Sequence, residues 1–295
     1  MSPAECFPFG SSSTVQGSLI ATLLLDSAFA EAAARRGDTV TVWNRTPDKA
    51  EALKAFGVMI AATPADAVRQ ACRVHIILKD DAVVEEVLAA ARPALLPGTL
   101  VLDHTTTLPV STAARAVRLN SEGVNYLHCP VFMGPAAARA AQGSMMVAGP
   151  QALFELAKTE LARMTGRLEY LGERADLAAV HKLFGNAMII SMSCIVADIL
   201  TIAKASGVPR EDAINLLGLL DLNAMVAGRG KNMAQGNFAL SFELAMARKD
   251  VRLMLETTGD LPMSVLPGIA QRMDQLIAQG HGAEDATVVA RHAVQ

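Results

Sequence analysis

Thr39-Val-Thr-Val-Trp-Asn-Arg-Thr-Pro-Asp48 decides how this chain is read. Its first five residues are β-branched or aromatic, as in a strand, and the Pro47-Asp48 pair starts a helix over 50–55. A strand that runs into a helix through a short polar turn, Asn44-Arg45-Thr46, is half of a βαβ unit. The alternation recurs downstream. Strands are expected at 58–60, 73–78, 99–103, 124–128, 144–147 and 167–171, and helices at 65–71 behind Pro64, at 83–91 behind Asp80-Asp81 and at 112–120 behind Pro109. That order predicts a doubly wound parallel α/β domain over 1–171. Strand signals cease after Leu171, and segments punctuated by Ser206-Gly207-Val208-Pro209, by 228–230, by 259–262 and by 280–282 predict an all-α domain over 172–295.

Composition bounds the function. With 295 residues, 52% of them hydrophobic and 19% charged, the chain has ample apolar surface for one large or two medium cores, which excludes disorder. Lys+Arg 26 against Asp+Glu 29 leaves a net charge of -3, so no overall positive field draws it to nucleic acid or to an anionic membrane, and 4% aromatic residues argue against a base-stacking surface. A small-molecule partner is expected. Cys6, Cys72, Cys129 and Cys194 are scattered with no C-x-x-C pair, so neither a disulfide framework nor a metal site is expected, and the location expected is cytoplasmic.

Two apolar stretches bear on membranes. Residues 18–25 lack a basic segment before them and are interrupted by Asp26, unlike a signal peptide. Residues 183–197 are bounded or broken by Lys182, Asn186 and Asp198, short of the ~20 apolar residues of a span. The helix containing them, 175–205, would be ~45 Å long at 1.5 Å per residue. It is expected to be buried between domains or between subunits, which implies a homodimer.

Four groups of residues are candidates for chemistry. Arg45 follows the first strand where a doubly wound sheet reads a cofactor ribose, and a guanidinium there suits a 2′-phosphate; its plain alternative is a solvated strand-end residue. In Asp103-His-Thr-Thr-Thr107, three hydroxyls stand at a strand's carboxyl end, although Thr107 could instead cap the helix behind Pro109. Asp103-His104 resembles half of a triad, but no Gly-x-Ser-x-Gly elbow accompanies it. The loop 129–135, with Phe132-Met133-Gly134, opens a helix over 136–141 and offers backbone N–H groups to a carboxylate, or is an ordinary connection. Lys182 lies inside the long apolar helix with Asn186 one turn on. Burying an ammonium is costly and lowers its pKa toward neutrality, which suits proton transfer, while an amine snorkelling to a domain seam is the structural alternative. Lys249-Asp250 by itself is a surface ion pair.

Assembled, these residues resemble the β-hydroxyacid dehydrogenase family, the relatives of 3-hydroxyisobutyrate and 6-phosphogluconate dehydrogenases. The resemblance runs from about residue 28 to 295. It rests on Val42-Trp-Asn-Arg-Thr46, on Leu78-Lys79 where the family usually has Leu-Pro, on an Asp-x-Ser-Thr type segment at 103–106, on Pro130-Val-x-x-Gly134, on Lys182 with Asn186, and on Lys249-Asp250. It implies a Rossmann-like sheet followed by an all-α domain, NADP as cofactor with NAD possible, and hydride transfer to or from a small carbonyl or hydroxyacid. By the same resemblance Lys182 is the acid/base and Asn186 orients the substrate. Asn44, Arg45, Thr46, Leu78 and Lys79 line the cofactor, Thr106 and Lys249 lie along the nicotinamide, and Phe132, Met133 and Gly134 hold the substrate carboxylate.

The departures are as informative. The family's G-x-G-x-x-G falls on Ala21, Leu23 and Asp26 when aligned without a gap. A second register takes 5–9 as the strand, 10–17 as a serine-rich phosphate loop with Gly17 as its last glycine, and a longer helix. In both the glycine fingerprint is degraded, which motivates the alternative of a catalytically silent binding or scaffold protein. Phe132-Met133-Gly134 replaces the usual Ser-Gly-Gly, removing a hydroxyl and adding bulk. The spacing from Leu171-Gly172 to Lys182 also resembles that of imine reductases, which usually carry Asp or Tyr where this chain has Lys182.

Overall fold

The computed structural model describes residues 16–21 and 24–294, and it divides into two compact units, 1–186 and 187–295. The first unit is built on six parallel strands: β1 (Gln16–Ala21), β2 (Thr39–Asn44), β3 (Met59–Ile60), β4 (Arg73–Ile77), β5 (Leu100–Asp103) and β6 (Asn125–His128). Their spatial order is β3-β2-β1-β4-β5-β6, the doubly wound order in which the winding direction reverses between β1 and β4. The intervening helices are α1 (Leu24–Arg35), α2 (Asp48–Glu51), α3 (Pro64–Val68), α4 (Asp81–Ala91) and α5 (Pro109–Ser121). Thr63 and Asp80 cap α3 and α4 by accepting the N–H groups of Asp66 and Val83. With helices on both faces, β4 and β5 are buried at every position, as parallel strands require.

The strand positions follow the β-branched runs, and the amino terminus settles the choice of register. Gly17 lies within β1, paired with Val40 on one side and Arg73 on the other, so it cannot end a phosphate loop. β1 ends at Ala21 and α1 starts at Leu24, as the gap-free alignment requires. The alternative strand at 5–9 lies outside the described residues.

A second sheet was not foreseen. β7 (Val131–Phe132), β8 (Ser144–Val147) and β9 (Arg167–Tyr170) form it, β7 antiparallel and β9 parallel to β8, and the pair His128–Ala148 joins it to β6. α6 (Pro135–Arg139) and α7 (Gln151–Ala162) complete this part; α7 lacks a side-chain cap, which is why its start was silent in the sequence. Cys72 is disulfide-bonded, contrary to the reading from spacing; Cys129 and Cys194 are free thiols.

α8 (Leu177–Ala205) carries the chain into the second unit, followed by α9 (Arg210–Asn215), α10 (Leu222–Ala234), α11 (Leu244–Thr258), α12 (Leu266–Leu276) and α13 (Arg291–Val294). Leu244, Val251, Leu266, Ala270 and Leu276 form the core of this unit. Within the single chain α8 is not covered: Phe184 and Ile190 are 64% and 62% exposed, and Met188, Ile189 and Met192 are exposed with them. By length and composition alone α8 is also long and apolar enough to cross a membrane, which the polar interruptions had argued against. Asp198, however, ties it into a globular unit, accepting the backbone N–H groups of Ser264 (2.5 Å), Val265 (2.9 Å) and Leu266 (3.0 Å) at the start of α12. Burial pushes the Asp198 carboxyl up, but these bonds outweigh it and hold it below the usual range. Asp198→Ala should cost about 1–3 kcal/mol, because it strands three N–H groups, and should lower the midpoint of urea unfolding. The contribution is present above the ordinary aspartate pKa of ~3.9 and should be lost as pH falls through the lowered value.

Candidate active site

Ligands of open α/β sheets bind at the carboxyl ends of the strands near the point where the winding reverses. At the end of β2, Asn44 is buried and its side-chain oxygen accepts the N–H of Thr46 (2.9 Å), which closes the turn. That turn presents Arg45 to solvent, where its Nη2 meets the exposed Glu86 at 2.9 Å. An exposed pair of this kind is worth about 0–1 kcal/mol, so a phosphate could displace it. At the end of β4, Leu78 is buried and donates its N–H to the Thr105 hydroxyl (3.0 Å), while Lys79 extends into solvent beside Asp80.

The segment after β5 is fixed by groups the sequence did not single out. Asp103 is fully buried and accepts from the Thr105 N–H (2.9 Å), the Tyr126 hydroxyl (2.8 Å) and Arg115 (3.5 Å). The Arg115 side chain is itself inaccessible to solvent and donates to Asp81 (2.7 Å) and Glu85 (2.8 Å) on α4. Asp81 also accepts the Leu108 N–H at 2.8 Å. One guanidinium thus locks together the segments following β4 and β5. Thr105 and Thr107 are buried and Thr106 between them is exposed. Thr107 does not cap α5; its hydroxyl meets those of Thr112 (2.6 Å) and the His128 ring (3.2 Å).

Asp103 and His104 form no dyad. His104 Nδ1 faces the Cys129 carbonyl at 2.7 Å and therefore carries the proton, so its Nε2 accepts from His75 Nδ1 at 2.9 Å. Burial pushes His104 down to about 4 and His75 well below the ordinary histidine range, so both rings are neutral at pH 7.

Lys182 and the loop 130–134 come together within the first unit. Lys182 Nζ donates to the Val131 carbonyl at 2.7 Å and lies 4.1 Å from the centre of the Phe132 ring, with no ion pair among the described residues. Desolvation alone lowers its pKa. Asn186 is half-buried one turn further on, with no side-chain hydrogen bond among the described residues. Met133 packs against the main core and Gly134 precedes α6 in open space. Lys249, in the second unit, pairs with Asp250 at 2.8 Å, as its surface reading anticipated.

The comparisons fit this architecture. The NAD binding domain of 6-phosphogluconate dehydrogenase matches residues 26–172, and the family described as NAD-binding of NADP-dependent 3-hydroxyisobutyrate dehydrogenase matches 177–293. The chain belongs to the β-hydroxyacid dehydrogenase family. Among family relatives, glyoxylate/succinic semialdehyde reductase 1 of Arabidopsis thaliana is 27% identical over 228 residues, 75% of this chain and 78% of that one. The cytokine-like nuclear factor N-PAC of Xenopus tropicalis is 25% identical over 236 residues, 79% of this chain but 44% of that protein. The chain therefore spans about two fifths of the length of the first curated relatives it matches. An imine reductase from Myxococcus stipitatus, solved with NADP+, shares the fold with a TM-score of 0.86 at 21% identity, covering 94% of this chain and 99% of that one.

Arg115→Met would leave Asp103 buried with only the Tyr126 hydroxyl and one N–H. A loss of about 3–5 kcal/mol is expected, read as a large drop in the urea midpoint; a change within experimental error would remove Arg115 as the lock between the two segments.

Proposed function

We propose that this chain is an NADP(H)-dependent oxidoreductase acting on a small carbonyl or hydroxyacid substrate, with Lys182 as general acid/base. The observation that carries this reading is the state of Lys182: half-buried, without a carboxylate partner among the described residues, and held by the Val131 carbonyl. An amine that merely snorkelled would direct its charge into water rather than into a backbone carbonyl and an aromatic face.

The donor set suits a phosphorylated dinucleotide. Arg45 is exposed at the end of β2, Lys79 is exposed at the end of β4, and Thr106 is the outward threonine of its loop. Asn44 shapes the Arg45 turn, and Leu78 and Thr46 contribute backbone at the same edge. When bound, the nicotinamide supplies the hydride. Lys182 gives a proton to the substrate oxygen in reduction and takes it back in oxidation, its lowered pKa narrowing the gap to neutral pH. Asn186 orients that oxygen by hydrogen bonding, Lys249 lies along the cofactor, and Phe132, Met133 and Gly134 shape the substrate side. Residues 1–171 hold the cofactor and 172–295 complete the substrate site, a division supported by the family matches at 26–172 and 177–293. A cytoplasmic location is part of the reading. Imine reduction is the second reading, favoured by the spacing from Gly172 to Lys182 and by the aromatic ring beside the amine.

A homodimer accounts for α8. Its exposed Phe184, Met188, Ile189, Ile190 and Met192 form a large apolar surface, which a soluble chain covers by association. A membrane is disfavoured as the cover because Asp198 binds the same helix into a globular unit.

Lys182→Ala should lower kcat/KM for carbonyl reduction by about 10²–10⁴-fold. In the parent, reduction needs the protonated amine, so its rate should fall as pH rises through a pKa below that of an ordinary lysine. Activity within a few fold of the parent would defeat the mechanism. Sedimentation at micromolar concentration should give twice the 31.0 kDa chain mass; a stable monomer would contradict the dimer.

A further inference from the structure

Gly185 sits in the interior of a 29-residue helix, where glycine is disfavoured relative to alanine. The Phe132 ring is the reason. A Cβ at 185 would overlap Phe132 Cζ and lie 2.6 Å from Cε1, so the phenyl ring occupies the space a side chain would fill. Lys182, three residues earlier on the same helix face, places its ammonium over that ring. A second glycine serves the same segment: Gly143, at φ +88°, has a side-chain direction that would meet Met133 Cβ and the Phe132 carbonyl, both at 2.7 Å. Phe132 is also gripped from its own strand, since β7 pairs with β8 and the ring packs with Met146, Ala148 and Ala178.

The consequence is chemical. An ammonium has three N–H bonds. In Lys182 one is taken by the Val131 carbonyl and one side of the group faces the ring, which leaves a single direction for a substrate acceptor. Positions 132 and 133 offer a phenyl and a thioether, neither of which donates a hydrogen bond. A carboxylate entering here would find no donor in the side chains at 132 and 133, and by taking the remaining Lys182 donor it would deprive the reacting oxygen or nitrogen of its proton source.

We propose that Phe132, seated in the notch left by Gly185 and covered by Lys182, is the specificity-determining residue of this site and selects uncharged carbonyl or imine compounds with an apolar body over carboxylate-bearing ones. The assignment rests on the reading of Lys182 as the acid/base, and it narrows the substrate from a carbonyl or hydroxyacid to uncharged carbonyl or imine compounds. The carboxylate-holding role that family resemblance gives to 132–134 is replaced by an apolar wall.

Two measurements on the full chain test it, and neither requires turnover. Ligand-observed NMR titration with pentan-2-one and with pentanoate compares the uncharged and the carboxylate-bearing body. The parent should bind the ketone at least fivefold more tightly, and Phe132→Ser should shift the ratio toward pentanoate by fivefold or more. Equal binding by the parent, or an unchanged ratio in Phe132→Ser, overturns the assignment. The second measurement is the thermal midpoint of Gly185→Ala in two backgrounds. It should fall in the parent, where the methyl group collides with the ring, and rise in Phe132→Ser, where only the helix propensity of alanine remains. The same sign in both backgrounds overturns the notch. If the binding order and the sign reversal hold while aliphatic ketones and imines are not reduced with NADPH, the reductase reading fails and the selectivity assignment stands.

Discussion

Asp103 ends an internal strand of the sheet with its carboxylate removed from water, and the loops above the sheet depend on how that charge is met. Arg115 meets it from α5, and the same guanidinium reaches Asp81 and Glu85 on α4. A buried charge with a partner missing costs several kcal/mol, so the arrangement is stable only with all its members present. The carboxylate also accepts the Thr105 N–H, and the Thr105 hydroxyl in turn accepts the Leu78 N–H. The chain segments after β4 and β5 therefore cannot move independently. That rigidity holds Thr106 outward from the carboxyl edge, where a doubly wound sheet receives its ligand.

Much of this fold was legible because parallel strands buried on both faces must be runs of β-branched and aliphatic residues. Arg73–Ile77 and Leu100–Asp103 stand out for that reason. The three-stranded sheet was harder to read, since β7 has two residues and lies inside what looks like a Pro/Gly loop. Lys182 was legible as a charge in an apolar helix. Its partners were not: a backbone carbonyl and a ring fifty residues away leave no local pattern. Arg115 was likewise indistinguishable from a solvated helix residue until α4 and α5 were placed side by side, and Gly185 from an ordinary helix imperfection until Phe132 was seen beside it.

α8 is apolar without being covered by its own chain. Its composition calls for burial between domains or between subunits. Within the described residues it is largely open, with Asp198 fastening its later part to the start of α12. The apolar excess in the composition thus belongs partly to a surface that asks for a cover, not to either core.

The central claim is that an α/β unit without the usual glycines still receives a phosphorylated dinucleotide beside Lys182. Trp43, the only tryptophan, lies in β2 next to Arg45, so its emission reports on that edge directly. Titration with NADPH and with NADH should give a saturable change in Trp43 emission with both, at lower concentration for NADPH. An emission that stays unchanged up to hundreds of micromolar of either dinucleotide, with no binding by calorimetry, would contradict the account.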